Sequence, residues 1–366
     1  MKVLIVSDSQ SVHTQRWVTS LHMKGVEVVL YTIVPIGVEY YTQKGIKCHV
    51  FDLFNYKREK KGPLYPIRRH FEAVKDLKRV IREEHPDILH SHYVTSYSLI
   101  AALSGFHPHV ESVWGSDVYI YPKKSLLHKM LVKYTLNKAD KILSTSHIMA
   151  EETRKYTNME IEITPFGVDT ALFCRKGPQP QGEFVIGSVK SLAPNYGNEY
   201  IIRAFHLITI NNPTLDCSLE LAGKGPDKEK LERLASELGI SGKVKFRGFI
   251  PNHELPEFFQ RCSMALYMSN SESFGVSAIE AMACECPVVT SDADGFKEVM
   301  EEGKTGFIVP KRDYRSAAEA IQKIIDDPQL AAKMGKAGRE RVCNKYNWED
   351  NVNAMIQIYN CICREK

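Results

Sequence analysis

Apolar and polar positions along this chain of 366 residues follow two alternating patterns. Short apolar runs, such as KVLIV (2–6), DILHSH (87–92) and KILST (141–145), are separated by amphipathic stretches of helical length. Parallel strands that are buried on both faces have such sequences, and each needs a helical crossover to reach the next strand. The first half of the chain is therefore predicted to form an α/β domain with a doubly wound parallel sheet.

The alternation is interrupted near the middle of the chain and then begins again. The segment RKGPQPQG (175–182) contains two prolines and two glycines, which is typical of a linker. Beyond it, runs such as EFVIGSV (183–189) and SMALYM (263–268) again alternate with helical stretches. Two domains also suit the length of the chain, because one hydrophobic core seldom grows beyond about 250–300 residues. We predict that the first domain spans 1–177 and that the second begins at 178.

Composition excludes several classes of protein. Apolar residues make up 43% and charged residues 25%, which excludes wholesale disorder. No apolar run approaches about 20 residues, the length that crosses a bilayer, and the first ten residues are typical of a strand rather than of a secretory signal. The nine cysteines are scattered without metal-site spacing and indicate reduced thiols. We therefore expect a cytoplasmic protein.

Positive charge is concentrated in the first half, although the net charge is only +4. Residues 56–82 contain ten Lys and Arg against three acids, and a second basic stretch spans 123–141. Three aromatic residues interleave with the first stretch: Tyr56, Tyr65 and Phe71. Either these predicted helices present a solvated charged face, or they contact anionic lipid headgroups as a peripheral protein on the cytoplasmic face of a membrane.

The most informative segment is SNSESFGVSAIEAMACECPVVTSD (269–292). It places Glu272 in a loop, Gly275 just before a predicted helix, and Glu280 in the first turn of that helix. Glycine lets a ligand approach the backbone, and the N–H groups at a helix start bind phosphate. Glu280 is suited to accept hydrogen bonds from ribose hydroxyls, and Glu272 to reach a sugar beyond the phosphates. Alternatively, Ser277 and Glu280 form a capping box that only closes the helix.

The two glutamates and the residues that follow them resemble the E-x7-E signature of the family 4 retaining glycosyltransferases. Five further segments resemble motifs of that family in the same order: PFGVDTALF (165–173), YGNEYIIRAF (196–205), AGKGPDKEKLERLASELGI (222–240), VKFRGFIPNHELPEFF (244–259) and DGFKEVMEEGKTGFIV (294–309). The resemblance implies the GT-B fold, in which two Rossmann-like domains with doubly wound parallel sheets face each other across a cleft. The second domain would span 178–346, and a final helix over about 347–366 would pack back onto the first domain.

The resemblance also implies roles for individual residues in donor binding. Glu280 would bind the ribose, and Glu272 a hydroxyl of the donor sugar. The backbone N–H groups that would contact the sugar and the diphosphate belong to Phe274, Gly275, Val276 and Ser277. The segment from Arg247 to Ile250, which includes Phe249, would lie beside the nucleotide base, with Gly223 and Lys224 nearby.

The chain departs from the family where many members carry an Arg and a Lys that hold the diphosphate. The corresponding segment is GSVKSLAPNYG (187–197), with Ser191 near the Arg position and Tyr196 at the Lys position. Lys190 is the one cation in this segment and is our catalytic candidate for contacting the diphosphate, whose negative charge must be stabilised as it leaves. Lys224 or a helix terminus would compensate for the missing pair.

Polar residues follow the strands of the predicted first domain, where the resemblance places the acceptor. The acceptor-side candidates are Ser11, His13, His92 and Asp117. His92 and Asp117 are the candidates for positioning or deprotonating the acceptor hydroxyl. Alternatively, such residues only satisfy the backbone of their own loops. Trp114 stands where many members of the family have a histidine.

We expect neither a cofactor nor a metal ion. The fold does not require a D-x-D site, and Asp292 and Asp294 resemble the turn before a helix rather than cation ligands. Nucleic acid is not an expected partner, because the basic stretches lie on one lobe of what resembles an enzyme.

The predicted activity is retaining transfer of a hexosyl or N-acetylhexosaminyl group from a nucleoside diphosphate sugar, with UDP as the expected nucleotide. The acceptor would be a glycan or a lipid-linked sugar in the synthesis of a cell-surface polysaccharide or glycolipid. A nucleotide-sugar epimerase of the same fold and a non-catalytic partner that binds sugar nucleotides remain alternatives. A nicotinamide dehydrogenase is disfavoured, since the first strand leads into SDSQSVH rather than G-x-G-x-x-G.

Overall fold

A computed structural model describes residues 1–54, 65–178 and 180–364. The chain forms two compact units, one of Met1–Pro165 together with the chain from Asn351 onward, and one of Phe166–Asp350. Residues 56–64 of the first predicted basic stretch, and the side chain of Tyr65, lie outside the described part. None of the helices in the described part combines the length and the apolar composition that spanning a bilayer needs.

The first unit is built on a seven-stranded sheet in which all neighbouring strands are parallel. Its strands in chain order are β1 (Lys2–Val6), β2 (Glu27–Thr32), β3 (Lys47–Val50), β4 (Ile88–His92), β5 (His109–Val113), β6 (Lys141–Ser144) and β7 (Ile161–Ile163). Their spatial order is β3-β2-β1-β4-β5-β6-β7. Strand β1 is buried almost along its whole length, which explains its apolar sequence.

The helices of the first unit are α1 (Val12–Met23), α2 (Glu39–Thr42), α3 (Tyr65–Glu84), α4 (Ser96–Ser104), α5 (Ser116–Tyr119), α6 (Leu126–Leu136) and α7 (His147–Thr153). Several of them bury apolar side chains in two clusters. One cluster joins α3 and α4 to β1 and β2 and includes the fully buried Leu77 and Ile100. The other joins α6 and α7 to β5 and β6 through Val132 and Met149. Hydrophobic burial on this scale holds the sheet and its crossover helices together.

The second unit repeats this arrangement on a six-stranded parallel sheet of order β10-β9-β8-β11-β12-β13. Its strands are β8 (Phe184–Val189), β9 (Cys217–Ala222), β10 (Val244–Gly248), β11 (Met264–Tyr267), β12 (Val288–Ser291) and β13 (Gly306–Val309). Its helices are α8 (Asn198–Asn211), α9 (Lys228–Glu237), α10 (Leu255–Arg261), α11 (Val276–Ala283), α12 (Asp294–Val299), α13 (Tyr314–Asp326) and α14 (Pro328–Lys345).

The last helix, α15 (Trp348–Arg364), begins in the second unit and continues in the first. The hydroxyl of Tyr359 in α15 forms a 2.6 Å hydrogen bond with Nδ1 of His90 in β4. The other ring nitrogen of His90 bonds the Ser112 hydroxyl of β5 at 2.8 Å. Because all three groups are buried, this chain of hydrogen bonds fastens the end of α15 to the centre of the first sheet.

Each sheet reverses its strand order at one point. In the first unit the reversal lies between β1 and β4, and in the second it lies between β8 and β11. The loops that leave the carboxyl ends of two such strands diverge to opposite sides, which opens a crevice where ligands of doubly wound proteins bind. Each unit therefore has one position at which a ligand site is expected.

The doubly wound α/β architecture is confirmed, with differences in detail. Strands β3 and β7 are not predicted, because β3 is half exposed and β7 is only three residues long. His92 is the last residue of β4 and lies inside the sheet rather than beyond the strand end.

The boundary between the compact units lies at residues 165 and 166, whereas the sequence predicts 177 and 178. The difference arises because the intervening segment is bonded to the second unit. Val168 pairs with Asn347, and the guanidinium of Arg339 donates to the carbonyl oxygens of Thr170 and Phe173. These contacts hold the segment on the second unit although it precedes the proline-rich linker.

One glycine permits a very close backbone approach beside the reversal point of the second sheet. Gly197 precedes α8 with a φ of 62°, and a Cβ there would lie 2.0 Å from the carbonyl oxygen of Met268, just after β11. Only glycine fits this position, because a side chain would be strained by the backbone angle and would also overlap Met268.

We expect Gly197→Ala to lower the free energy of unfolding by at least about 2 kcal/mol, since it combines left-handed strain with overpacking. The matched control is Gly239→Ala, because Gly239 has a φ of 70° with nothing within 4 Å of its added Cβ. The control isolates the backbone strain of about 1–2 kcal/mol. Urea unfolding of both variants measures the difference. Equal losses in the free energy of unfolding would contradict the close approach of Gly197 to the Met268 carbonyl oxygen.

Candidate functional site

The reversal point of the second sheet brings together two of the predicted site residues. Lys190 follows β8, and Glu272 lies in the loop after β11. The Lys190 Nζ atom donates to Glu272 Oε2 at 2.5 Å, and the two side chains are only 10% and 12% exposed. A charge-assisted hydrogen bond at this depth is strong, because the alternative is an unpaired charge away from water. The sequence predicts both residues but not their contact.

Three aromatic rings surround the ammonium group of Lys190. The Nζ atom lies 5.4 Å from the ring centre of Tyr196, 5.7 Å from that of Phe296 and 5.9 Å from that of Tyr267. Such cation–π contacts attract the charge electrostatically and restrict the rotamers of the lysine. Tyr196 is the residue that the resemblance aligns with the lysine of many family members, and its ring contacts the ammonium group of Lys190.

Backbone packing fixes the loops that carry this ion pair. A Cβ on Gly223 would lie 2.0 Å from the carbonyl oxygen of Lys190, and one on Gly295 would lie 2.4 Å from the amide nitrogen of Phe274. The Gly295 N–H also donates to the carbonyl oxygen of Glu272 at 2.9 Å. Because these contacts are made by the backbone, the two charges are held in place before any ligand arrives.

Helix α11 begins at Val276, directly after Gly275, whose φ is 100°. Glu280 is therefore the fifth residue of the helix and lies in its second turn rather than in the first. The capping-box alternative is wrong, because the N-cap is Gly275 rather than Ser277 and no side chain caps the helix. The N–H groups of Ala278 and Ile279 donate to the carbonyl oxygen of Gly275, whereas those of the first two helical residues have no acceptor within the helix.

Glu280 is 5% exposed, and its Oε1 accepts a 3.0 Å hydrogen bond from Nδ2 of Asn252. Asn252 belongs to the loop between β10 and α10, and the sequence pattern does not predict it as a site residue. The only signal for it was its place inside the segment 244–259. Because the asparagine orients the carboxylate from a different loop, the two residues act as one polar group at this edge of the sheet.

The remaining predicted donor residues are distributed around the same loops. Phe274 is buried against Phe166 and Tyr346, so only its backbone can contact a ligand. Gly223 donates its N–H to the carbonyl oxygen of Gly248 at 2.7 Å, which brings the predicted base-binding segments together. Lys224 and Phe249 are exposed, and Ile250 is half-buried.

The candidate cation site at residues 292–294 is occupied by protein contacts. The Asp292 carboxylate accepts the backbone N–H of Lys311 at 2.9 Å, and Asp294 lies 3.9 Å from the ammonium of Lys297. Within the described residues, no group of three or more His, Cys, Asp or Glu side chains could hold a metal ion.

In the first unit, aromatic rings pack together at the reversal point. The His92 ring lies 4.4 Å from Trp114, which also contacts the ring of His13 at 5.8 Å. Nδ1 of His92 forms a 3.1 Å hydrogen bond with the Ser7 hydroxyl at the end of β1. Burial lowers the pKa of His92 to about 3 and that of His13 to about 4, so both imidazoles are neutral at pH 7.

Asp117 is fully buried and binds backbone amides. Its carboxylate accepts N–H groups from Val94 at 3.0 Å, Gly115 at 2.6 Å and Trp114 at 3.2 Å, which ties together the loops after β4 and β5. Burial raises the pKa of Asp117, and these hydrogen bonds oppose that rise. The geometry matches the alternative in which the residue satisfies loop backbone. Ser11 similarly caps α1 by accepting the N–H of Thr14.

Two doubly wound parallel sheets in tandem, with a last helix that returns to the first, are the GT-B architecture of glycosyltransferases. The family model for glycosyl transferases group 1 matches residues 171–341, and the glycosyl transferase 4-like model matches residues 2–146. The chain therefore belongs to the family 4-like glycosyltransferases of the GT-B fold. The predicted family and fold are confirmed, and the reaction class is glycosyl transfer.

Individual relatives are similar over most of their length. An N-acetyl-α-D-glucosaminyl L-malate synthase of Bacillus anthracis is 25% identical over 304 residues, which cover 79% of this chain and 78% of that protein. The structure of a sucrose-phosphate synthase from Thermosynechococcus elongatus is similar with a TM-score of 0.83 at 21% identity, over 100% of both chains. The Anabaena protein HepE, in complex with UDP and glucose, has a TM-score of 0.79 at 18% identity over 98% of both chains. The two structures support the fold.

We expect the Lys190–Glu272 pair to stabilise the folded enzyme without any ligand. Lys190→Met or Glu272→Gln alone should each lower the free energy of unfolding by about 1.5–3 kcal/mol, because the partner charge is left unpaired. The double variant should lose less than the sum. The same double-mutant cycle on the exposed pair Lys228 and Glu232, whose charged groups are 3.4 Å apart, should give a coupling free energy of about 0.5 kcal/mol or less. Additive losses at the first pair would contradict the assignment.

The buried histidines predict how stability depends on pH. Burial also lowers the pKa of His109 to about 4, as it lowers that of His92. Below pH 6.5 these histidines become protonated in the unfolded chain but stay neutral in the folded chain. As the pH decreases, each of them should therefore lower the free energy of unfolding by up to about 1.4 kcal/mol per pH unit. Urea unfolding between pH 7.5 and pH 4.5 measures this slope, which His92→Gln should reduce. An unchanged slope would mean that His92 is protonated in the folded state.

Proposed function

We propose that this glycosyltransferase transfers a hexosyl or N-acetylhexosaminyl group from a UDP-sugar to a glycan or lipid-linked acceptor, with retention of configuration. The observation that carries the proposal is the preorganised pair of Lys190 and Glu272 beside the start of α11. One edge of the second sheet thus offers a cation, a carboxylate and the amides at a helix N-terminus, which match a diphosphate with a sugar on one side of it.

Donor binding would separate the ion pair. The diphosphate would attract the ammonium of Lys190, while the carboxylate of Glu272 would accept a hydrogen bond from a hydroxyl of the sugar. The amides at the start of α11 would bind the phosphates, because a helix N-terminus carries a partial positive charge. Glu280, oriented by Asn252, would accept the ribose hydroxyls. Each protein charge thereby exchanges one partner for another, so that none is left buried and unpaired.

The departing nucleoside diphosphate carries the charge that has to be stabilised during transfer. Lys190 and the helix amides are the groups suited to this, and we propose that no metal ion is needed. Deprotonation of the acceptor is assigned to the leaving phosphate on the same face of the sugar. Neither His92 nor Asp117 is suited to be the base, since the pKa of His92 is about 3 and the carboxylate of Asp117 binds three backbone amides.

The acceptor side is assigned to the ring cluster of His13, His92 and Trp114. Aromatic faces and neutral imidazoles are suited to a sugar, which has apolar C–H faces and hydroxyl edges. Ser11 and Asp117 would then shape this surface through the loops that they hold. Synthesis of a cell-surface polysaccharide or glycolipid is the process that we propose for such an acceptor.

The nucleotide and the compartment are further parts of the proposal. HepE binds UDP on the same fold, which supports uridine as the base. The name of the Bacillus anthracis relative supports an N-acetylhexosamine donor and an α-linked product. All nine cysteines are free thiols, which suits a reducing cytoplasm.

Thermal unfolding in the presence of a panel of nucleoside diphosphate sugars tests the donor. A ligand at 100 times its dissociation constant should add about 2.7 kcal/mol to the free energy of unfolding. The preferred donor should then be hydrolysed slowly with water as acceptor, and the first sugar released should be the α-anomer. EDTA should not change this rate. Conversion of the donor to its epimer without an acceptor, or binding without any turnover, would contradict the proposed transfer.

Two carboxylate variants should separate binding from chemistry. Glu280→Ala should weaken UDP binding by about tenfold or more, because it removes the ribose contact of about 1.4 kcal/mol. Glu272→Ala should leave UDP affinity within about threefold but reduce turnover of the UDP-sugar by at least about tenfold. Glu319→Ala, at an exposed position of α13, is the control for both measurements. Wild-type affinity and rate in both site variants would refute the donor-site assignment.

A further inference from the structure

Helix α6 presents large apolar side chains to solvent. Leu126 is 73% exposed, Leu127 64%, Met130 59% and Tyr134 40%. Their spacing places them along one side of the helix, while the opposite side buries Val132 and its neighbours in the core of the first unit. These four residues form what we call the α6 face. Solvent-exposed leucines and methionines clustered in this way are typical of an interaction surface.

The α6 face is surrounded by positive charge. Residues 118–139 contain no Asp or Glu and five lysines, namely Lys123, Lys124, Lys129, Lys133 and Lys138. Lys123 lies 3.2 Å from a carboxylate oxygen of Glu152, whereas the other four form no ion pair with any residue that the structure describes. The ammonium of Lys138 lies 5.8 Å from the ring centre of Tyr134, at one end of the face.

The other basic helix differs in its charge balance. Within the described part of α3, Arg69 contacts Glu72, and Arg79 contacts both Asp76 and Glu83. These pairs along the helix neutralise much of its positive charge. The sequence singles out both helices for contact with anionic lipid, but the structure favours α6, where apolar exposure and unbalanced lysines coincide.

We propose that the α6 face binds the surface of an anionic lipid bilayer. A helix that lies in a membrane interface buries its apolar side among the lipid headgroups and upper acyl chains, and its lysines contact the lipid phosphates. Tyrosine prefers the headgroup level, which suits Tyr134 at the edge of the face. A protein partner fits less well, because lysine is depleted in protein–protein interfaces. This binding goes beyond glycosyl transfer and does not depend on the identity of donor or acceptor.

Vesicle flotation of the full-length protein tests the inference. We expect the protein to float with vesicles of phosphatidylcholine containing about one third phosphatidylglycerol, and to stay in the aqueous phase with phosphatidylcholine alone. Raising the salt from 0.1 M to 0.5 M should release most of it, because the lysine contribution is screened. Failure to float with the anionic vesicles at low salt would overturn the proposal.

Matched variants assign the binding to the α6 face. Lys129→Gln with Lys133→Gln should lower the partition coefficient about 25-fold, at about fivefold for each lysine. Met130→Asp should lower it at least about tenfold, since it removes apolar burial and adds a negative charge. The controls are Ile210→Asp, at a position of the second unit that is 58% exposed, and Lys333→Gln with Lys336→Gln on α14.

The controls should float like the wild type, and the thermal midpoints of all variants should be similar because every altered side chain is exposed. Equal partitioning of Met130→Asp and Ile210→Asp would refute the role of the α6 face. Light scattering in the absence of vesicles tests whether a second copy of the chain covers the α6 face instead. If Met130→Asp converts a dimer into a monomer and leaves flotation unchanged, the face is a contact between copies of the chain and the membrane proposal is wrong.

Discussion

The ammonium group of Lys190 is held inside a cluster of loops that little water reaches, and Glu272 is the carboxylate that balances its charge. Leaving either group unpaired at that depth would be costly, although the two residues are 82 positions apart in the chain. Their contact requires the carboxyl ends of β8 and β11 to be neighbours in the sheet. It also requires loops that pack backbone against backbone, which Gly223 and Gly295 permit. Strand order, glycine positions and site chemistry are therefore linked by one electrostatic requirement.

The two units use the same topological position for different chemistry. The second places full charges and helix amides at its reversal point, which suits an anionic ligand. The first places the rings of Trp114 and His92 there, and burial keeps the imidazole neutral by lowering its pKa. This difference between otherwise similar sheets is the basis for the division that we propose, in which the second unit binds the nucleotide and the first unit binds the acceptor.

Local patterns in the sequence predicted the local features of the structure. Strand and helix periodicity predicted both sheets, and the spacing of acids around a glycine predicted the loop position of Glu272. Contacts between distant segments had no such signal. The hydrogen bond from Asn252 to Glu280 and the pairing of Glu272 with Lys190 depend on which loops the fold brings together. The amide contacts of Asp117 likewise depend on two loops that the fold brings together. Its sequence position suggested a catalytic base, but in the structure its carboxylate binds backbone amides of both loops.

Tyr196 has a further consequence for the catalytic cycle that we propose. Its ring lies 5.4 Å from the Lys190 ammonium, and the resemblance aligns it with a lysine of many family members. After transfer, a nucleoside diphosphate bound beside Lys190 would face one ammonium group instead of two cationic side chains, and its electrostatic retention would be correspondingly weaker. The nucleoside diphosphate product would then dissociate more readily, and product inhibition of the enzyme would be weaker.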